Sequence, residues 1–112
     1  MQIQEFAKKD GLFKKSFAAI VSIAPDGEEH YLSELSQAGG ALLEWKAKRG
    51  DKAKMVILTI VCDPPFAEDA RHILTSIFEH TPQMAALAKD TEITVSIIDE
   101  RETVLDEFAI QR

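Results

Sequence analysis

The sequence predicts an α/β protein of one domain, ordered β-α-β-α-β-α, with helices packed on a mainly parallel sheet. Three observations carry that expectation. The run from Met55 to Val61 is mostly β-branched or large aliphatic, with Thr59 its one polar residue and no polar alternation, which is how a central strand covered on both faces reads. Ala70, Ile73, Leu74, Ile77 and Phe78 follow at helical spacing. Ile93, Val95 and Ile97 then alternate with Thr94 and Ser96, the signature of a strand with one better-buried face.

Taken in order, residues 1–15 read as an N-terminal arm folding back on the body. Ile3, Phe6, Leu12 and Phe13 suit a short helix and Gln2 to Phe6 an edge strand, while Asp10-Gly11 signals a turn. From Ser16 to Ala24, Phe17, Ala19, Val21 and Ile23 share one face and Ala18, Ile20 and Ser22 the other. Pro25, Asp26 and Gly27 end that strand with turn chemistry. A long helix is expected over 28–49: Glu28 and Glu29 suit its positive end, Lys46, Lys48 and Arg49 its negative end, and Gly50 the C′ position. Gly39 and Gly40 interrupt it at a cost of about 1 kcal/mol each relative to alanine, implying either a kink or a close approach by another element.

After the central strand, Asp63 suits a helix N-cap and Pro64 the first helical position, where no backbone N–H is needed. Thr81 and Pro82 start a second helical piece carrying Met84, Leu87 and Ala88. The strand over 92–98 leads through Asp99 and Glu100 into an expected last short helix with Val104, Leu105, Phe108 and Ile110. Three parallel strands leave two open edges, so the arm or a partner subunit is expected to cover one.

The chain of 112 residues fits one domain, and 46% hydrophobic with 29% charged residues places it among globular rather than disordered proteins. No apolar run approaches a membrane span of ~20 residues, and the first residues lack a basic region followed by an apolar core. One cysteine excludes an internal disulfide framework, which favours a reducing compartment and a soluble, cytoplasmic protein. The net charge of −6 is unevenly placed: nine Lys/Arg face eight Asp/Glu up to Val56, and four face eleven from Ile57 onward. An acidic second half argues against a nucleic-acid footprint.

Cys62 is the first candidate site residue. At the carboxyl end of a central strand and near a helix N-terminus, it stands where open α/β sheets place ligands, and a thiolate there would serve as nucleophile, persulfide carrier or redox sensor. Against this, free cysteine behaves as a small buried hydrophobe, and Asp63 beside it would raise the thiol pKa. Asp26, Asp63 and Asp99 end the three expected strands. They form a second candidate, a carboxylate Mg²⁺ site like that of receiver domains, although each has a sufficient local role in a turn, cap or helix start. His30, His72 and His80 show no metal-ligand spacing. Lys46, Lys48, Arg49, Lys52 and Lys54 form a basic cluster able to hold an anion or acidic partner, or simply to complement a helix C-terminus.

Cys62-Asp63-Pro64-Pro65 after an apolar strand, followed by a helix, a strand ending in Asp99, and Leu105 with Phe108 and Ile110, resembles part of the thioredoxin fold over residues 54–110. The resemblance implies that Cys62 stands at the attacking cysteine and Pro64 at the motif proline. Pro65 replaces the resolving cysteine, and the chain ends before the family's cis-proline loop and closing hairpin. The implied architecture is thioredoxin-like or half of a flavodoxin-like sheet. Dithiol exchange within one chain is excluded by composition. No catalytic constellation is complete, so the leading expectation is a small accessory or regulatory module that binds another protein or itself, through an open sheet edge, without a cofactor. A monothiol redox or persulfide function at Cys62 and a receiver-like Mg²⁺ domain are the alternatives.

Overall fold

The computed structural model describes residues 3–9, 11–12 and 14–110. Its elements run β1 (Ile3–Lys9), β2 (Lys15–Ile23), α1 (Glu29–Arg49), β3 (Ala53–Val61), α2 (Ala67–His80), α3 (Pro82–Lys89), β4 (Glu92–Ile98) and β5 (Val104–Ala109). The five strands lie side by side in chain order. β2, β3 and β4 are mutually parallel, while β1 and β5 are antiparallel edges.

The α/β class therefore stands, and two expectations do not. The sheet is mixed rather than mainly parallel, and the strict β-α-β-α-β-α order gives way to a hairpin at each end. At the amino end, the edge-strand alternative is realised as β1, which pairs with β2 from Ile3 to Lys9. Gln2, Asp10 and Phe13, which entered that reading, lie outside the described residues.

At the carboxyl end, the expected last helix is strand β5. The reason lies in the loop before it. The Asp99 Oδ1 accepts hydrogen bonds from the backbone N–H groups of Arg101 and Thr103, each at 2.9 Å. Glu102 takes a left-handed φ of 65°, and Asp99 N–H donates to Thr103 O at 3.0 Å. This closes a hairpin, and Asp99 supports its tight loop instead of capping a helix.

Both crossover connections step in the same direction along the sheet, which with right-handed crossovers puts their helices on one face. Burial agrees. Ala19, Val21, Ile23, Val56, Leu58, Ile60, Ile93, Val95 and Ile97 form one core with Leu35, Leu42 and Trp45 of α1, Leu74 and Phe78 of α2, and Met84 and Leu87 of α3. The intervening strand residues are only half-buried or exposed.

Two arginines fasten the antiparallel edges to this helix layer. Arg49, in the last turn of α1, donates to both oxygens of Glu5 on β1, at 2.5 and 2.9 Å, and lies 4.0 Å over the Phe17 ring. Trp45 Nε1 donates to the same carboxylate at 2.5 Å. On the other edge, Arg71 of α2 pairs with Asp106 of β5 at 3.1 Å and lies 4.6 Å over Phe108.

α1 runs unbroken through Gly39-Gly40. Close approach, not a kink, explains Gly39: a Cβ there would lie 2.5 Å from the sulfur of the buried Met84 on α3. At Gly40 a Cβ would meet only Gln83 Nε2, at an ordinary 3.5 Å. Substitutions at these neighbours should have opposite signs. Overpacking outweighs the gain in helix propensity at Gly39, so Gly39→Ala should lose about 1 kcal/mol, and Gly40→Ala should gain up to about 1 kcal/mol, in urea denaturation.

The Glu5 carboxyl is held below its usual range, chiefly by the Arg49 hydrogen bond, with Trp45 adding to it against the opposing effect of burial. Such a group stabilises the fold above its unfolded pKa, and the contribution is lost as pH falls through the lower folded value. Glu5→Gln should lower the melting temperature at pH 7, with the gap from the parent protein closing as pH is lowered through the carboxylate range.

Candidate functional site

Cys62 follows directly on β3 and extends its pairing, donating its N–H to Ile98 O at 2.9 Å. Alternation along β3 turns it toward the helix layer, where it lines a cleft of about 390 Å³ between the β2–α1 and β3–α2 connections. Tyr31 and Phe66 contribute aromatic surface, and Asp26, Glu28, Asp63 and Asp69 surround it with carboxylates. The thiol is pushed up from its ordinary value, first by burial and then by Asp63. The Tyr31 hydroxyl is likewise pushed up, by burial and then by Cys62 and the nearby acids. Both groups are held protonated near neutral pH.

The helix start near Cys62 differs from expectation. A 3₁₀ turn, Pro64–Phe66, precedes α2, and Asp63 makes no side-chain cap; only its carbonyl is used, accepting from Phe66 N–H at 2.9 Å. Three residues separate Asp63 from the start of α2 proper at Ala67, and the opening of α2 carries Glu68 and Asp69. The local field therefore favours the thiol over the thiolate. Alkylation of native Cys62 should be slow at pH 7 and accelerate only above the ordinary thiol range, whereas the urea-unfolded chain should react at the rate of a free thiol; a native midpoint below that range would overturn this assignment.

The three strand-end aspartates are not one site. Asp26 and Asp63 line the cleft, but Asp99 does not, its carboxylate being held by the β4–β5 loop. Among the described residues, no group of three or more His, Cys, Asp or Glu is placed to hold a metal ion. The histidines are dispersed. His30 lies 3.7 Å from Glu29, His72 lies 3.9 Å from Glu68, and His80 Nδ1 contacts Ser76 O at 2.9 Å, all on exposed helix surface.

The basic cluster is larger than its sequence neighbours suggest. Lys48, Arg49 and Lys52 share a depression of about 450 Å³ with Lys9, Lys14 and Lys15 from the β1–β2 hairpin. Lys46 and Lys54 sit apart around a second depression with Asp51 and Asp90. Cations thus gather at the amino ends of the parallel strands and carboxylates around the cleft at their carboxyl ends.

The feature that sequence reasoning missed is the sheet face opposite the helices. In register, Phe6, Ala18, Met55 and Glu92 form one row across it. Gln4, Ile20, Ile57, Thr94 and Ala109 form the next. Ser22, Thr59, Ser96 and Glu107 make a polar row, and Val61, Ile98 and Val104 an apolar one beyond it. Phe6 and Val104 are each 54% exposed, and Ile20, Met55, Ile57, Val61 and Ile98 are half-buried. The signal was present in the run Met55–Val61, whose composition asks for cover on both faces although the helices supply it on one.

No family model, no curated protein and no solved structure matches the chain. Among the described residues, no helix is long and apolar enough to cross a membrane.

Proposed function

We propose that this protein acts by association, as an accessory or regulatory module whose uncovered sheet face docks on another protein surface. One observation carries the reading: β3 has the sequence of a strand covered on both sides, and among the described residues it is covered on one. The adjoining apolar residues Phe6, Ala18, Ile20, Met55 and Ile57, bordered by polar ones, make the kind of surface characteristic of interaction sites. The rim here is Lys8 on β1, Glu92 on β4 and Glu107 on β5, all exposed. The acidic balance of the second half of the chain favours a protein partner over nucleic acid. The single cysteine, held as a protonated thiol, suits a reducing, cytoplasmic setting.

A monothiol function at Cys62, as the thioredoxin resemblance implies, is the second reading. The cleft favours it by giving the sulfur access, and the raised thiol pKa opposes it.

The sheet-face reading is tested by hydroxyl-radical footprinting of the full chain in an extract of its source cells. Met84, buried between helices, serves as the protected reference. Met55 should be protected almost as well as Met84 when the face is covered, and should regain reactivity when Ile57→Glu places a charge at the centre of the face. Equal oxidation of Met55 with and without that substitution would remove the reading's support.

A further inference from the structure

We infer that the occupant of the sheet face is a second copy of this chain, docked face to face about a two-fold axis running along β3; this rests on the association reading above. Size is the first argument. Five strands at ~4.8 Å spacing and seven residues at ~3.3 Å rise give a face of ~550 Å² in projection. Two such faces bury upward of ~1,100 Å², above the ~1,000 Å² that separates specific interfaces from incidental contacts.

Self-complementarity is the second argument. β3 is the middle strand of five, so an axis along it places β3 on β3, β2 on β4 and β1 on β5. Near that axis each row meets itself. Met55 faces Met55, Ile57 faces Ile57, and the polar row through Thr59 faces its own copy, within the ~30° rotation usual for stacked sheets. An axis across the strands would instead lay Thr59 over Met55, setting a hydroxyl against an apolar row.

Charge is the third. On this face the β1 flank carries Lys8, opposite Ser16 in register, and the β4–β5 flank carries Glu92 and Glu107. The axis along β3 brings the β1 flank of each copy over the β4–β5 flank of the other, with Lys8 one row from the Glu92 of its twin. The alternative axis would bring each flank over itself, opposing like charges. The contact is isologous, so it closes at two copies and leaves no further face open on either sheet.

The test combines sedimentation of the purified full chain over a concentration series with cross-linking by a short bismaleimide in a Cys62→Ser background. The parent protein should sediment as a dimer. Ile57→Glu should raise the concentration at which dimers form by about tenfold or more while keeping the parent's circular dichroism. Thr59→Cys, near the axis, should cross-link to its twin, and Gln4→Cys on the β1 edge should not, because the axis along β3 separates the two copies of Gln4 by the width of the sheet. Cross-linking at Gln4→Cys but not at Thr59→Cys would overturn the symmetry proposed. A dimer indifferent to Ile57→Glu would overturn this inference, and the sheet-face reading would then stand or fall on the protection of Met55 in extract. A monomer whose Met55 is oxidised freely when pure but protected in extract would overturn the second copy and leave the sheet-face reading intact; free oxidation in both would overturn the two together.

Discussion

The constraint on which the structure depends is that successive crossovers step the same way along the sheet. The β2–α1–β3 and β3–α2–α3–β4 connections both advance by one strand, and right-handed crossovers that advance together stack their helices on one side. Had one of them reversed, helices would lie on both faces and each strand would be sandwiched. Instead Leu35, Leu42, Leu74, Met84 and Leu87 converge on a single face of the sheet, where Val21, Leu58, Ile60, Val95 and Ile97 are almost wholly removed from water. The fold's stability and its unfinished side have the same origin.

The two edge strands answer a separate problem. An antiparallel edge beyond a helix-covered core receives little cover, and both edges solve this with an arginine reaching from a helix. Arg49 and Arg71 each combine a carboxylate on the edge strand with an aromatic ring beneath the guanidinium. The planar guanidinium suits both contacts at once, which a lysine ammonium would not. This arrangement accounts for the positions of Phe17 and Phe108, which lie under cations at the margin of the core.

Much of the fold was legible in the sequence because local rules and tertiary packing agreed. The apolar run of β3, the stripe of α2 and the alternation of β4 are each regular enough to identify, whereas Gly39-Gly40 left a kink and a close approach as alternatives, of which the structure has the second, at Gly39. The last helix was misread because Val104, Leu105 and Phe108 suit either a short helix or a strand; the decision rests on Asp99 gathering the amides of Arg101 and Thr103. Of the candidate sites, the surroundings of Cys62 were legible in part, since Asp63 is adjacent in sequence. The carboxylates of Glu28 and Asp69 reach the cleft only through folding, as Lys9, Lys14 and Lys15 reach the cationic depression. The bare face was hidden for a further reason: composition shows that a strand wants cover, and not whether its own chain provides it.

The strand order has a consequence for how the chain acquires its shape. Because spatial and chain order coincide, every strand joins the sheet beside the strand made just before it, and none has to be inserted between two already paired. Growth can proceed from one edge to the other as residues leave the ribosome, with β1 and β2 closing first through a local hairpin. Until β5 arrives, one margin is always the newest strand while β1 stays as the other, so only one of the two edges with unpaired amides moves as the sheet grows.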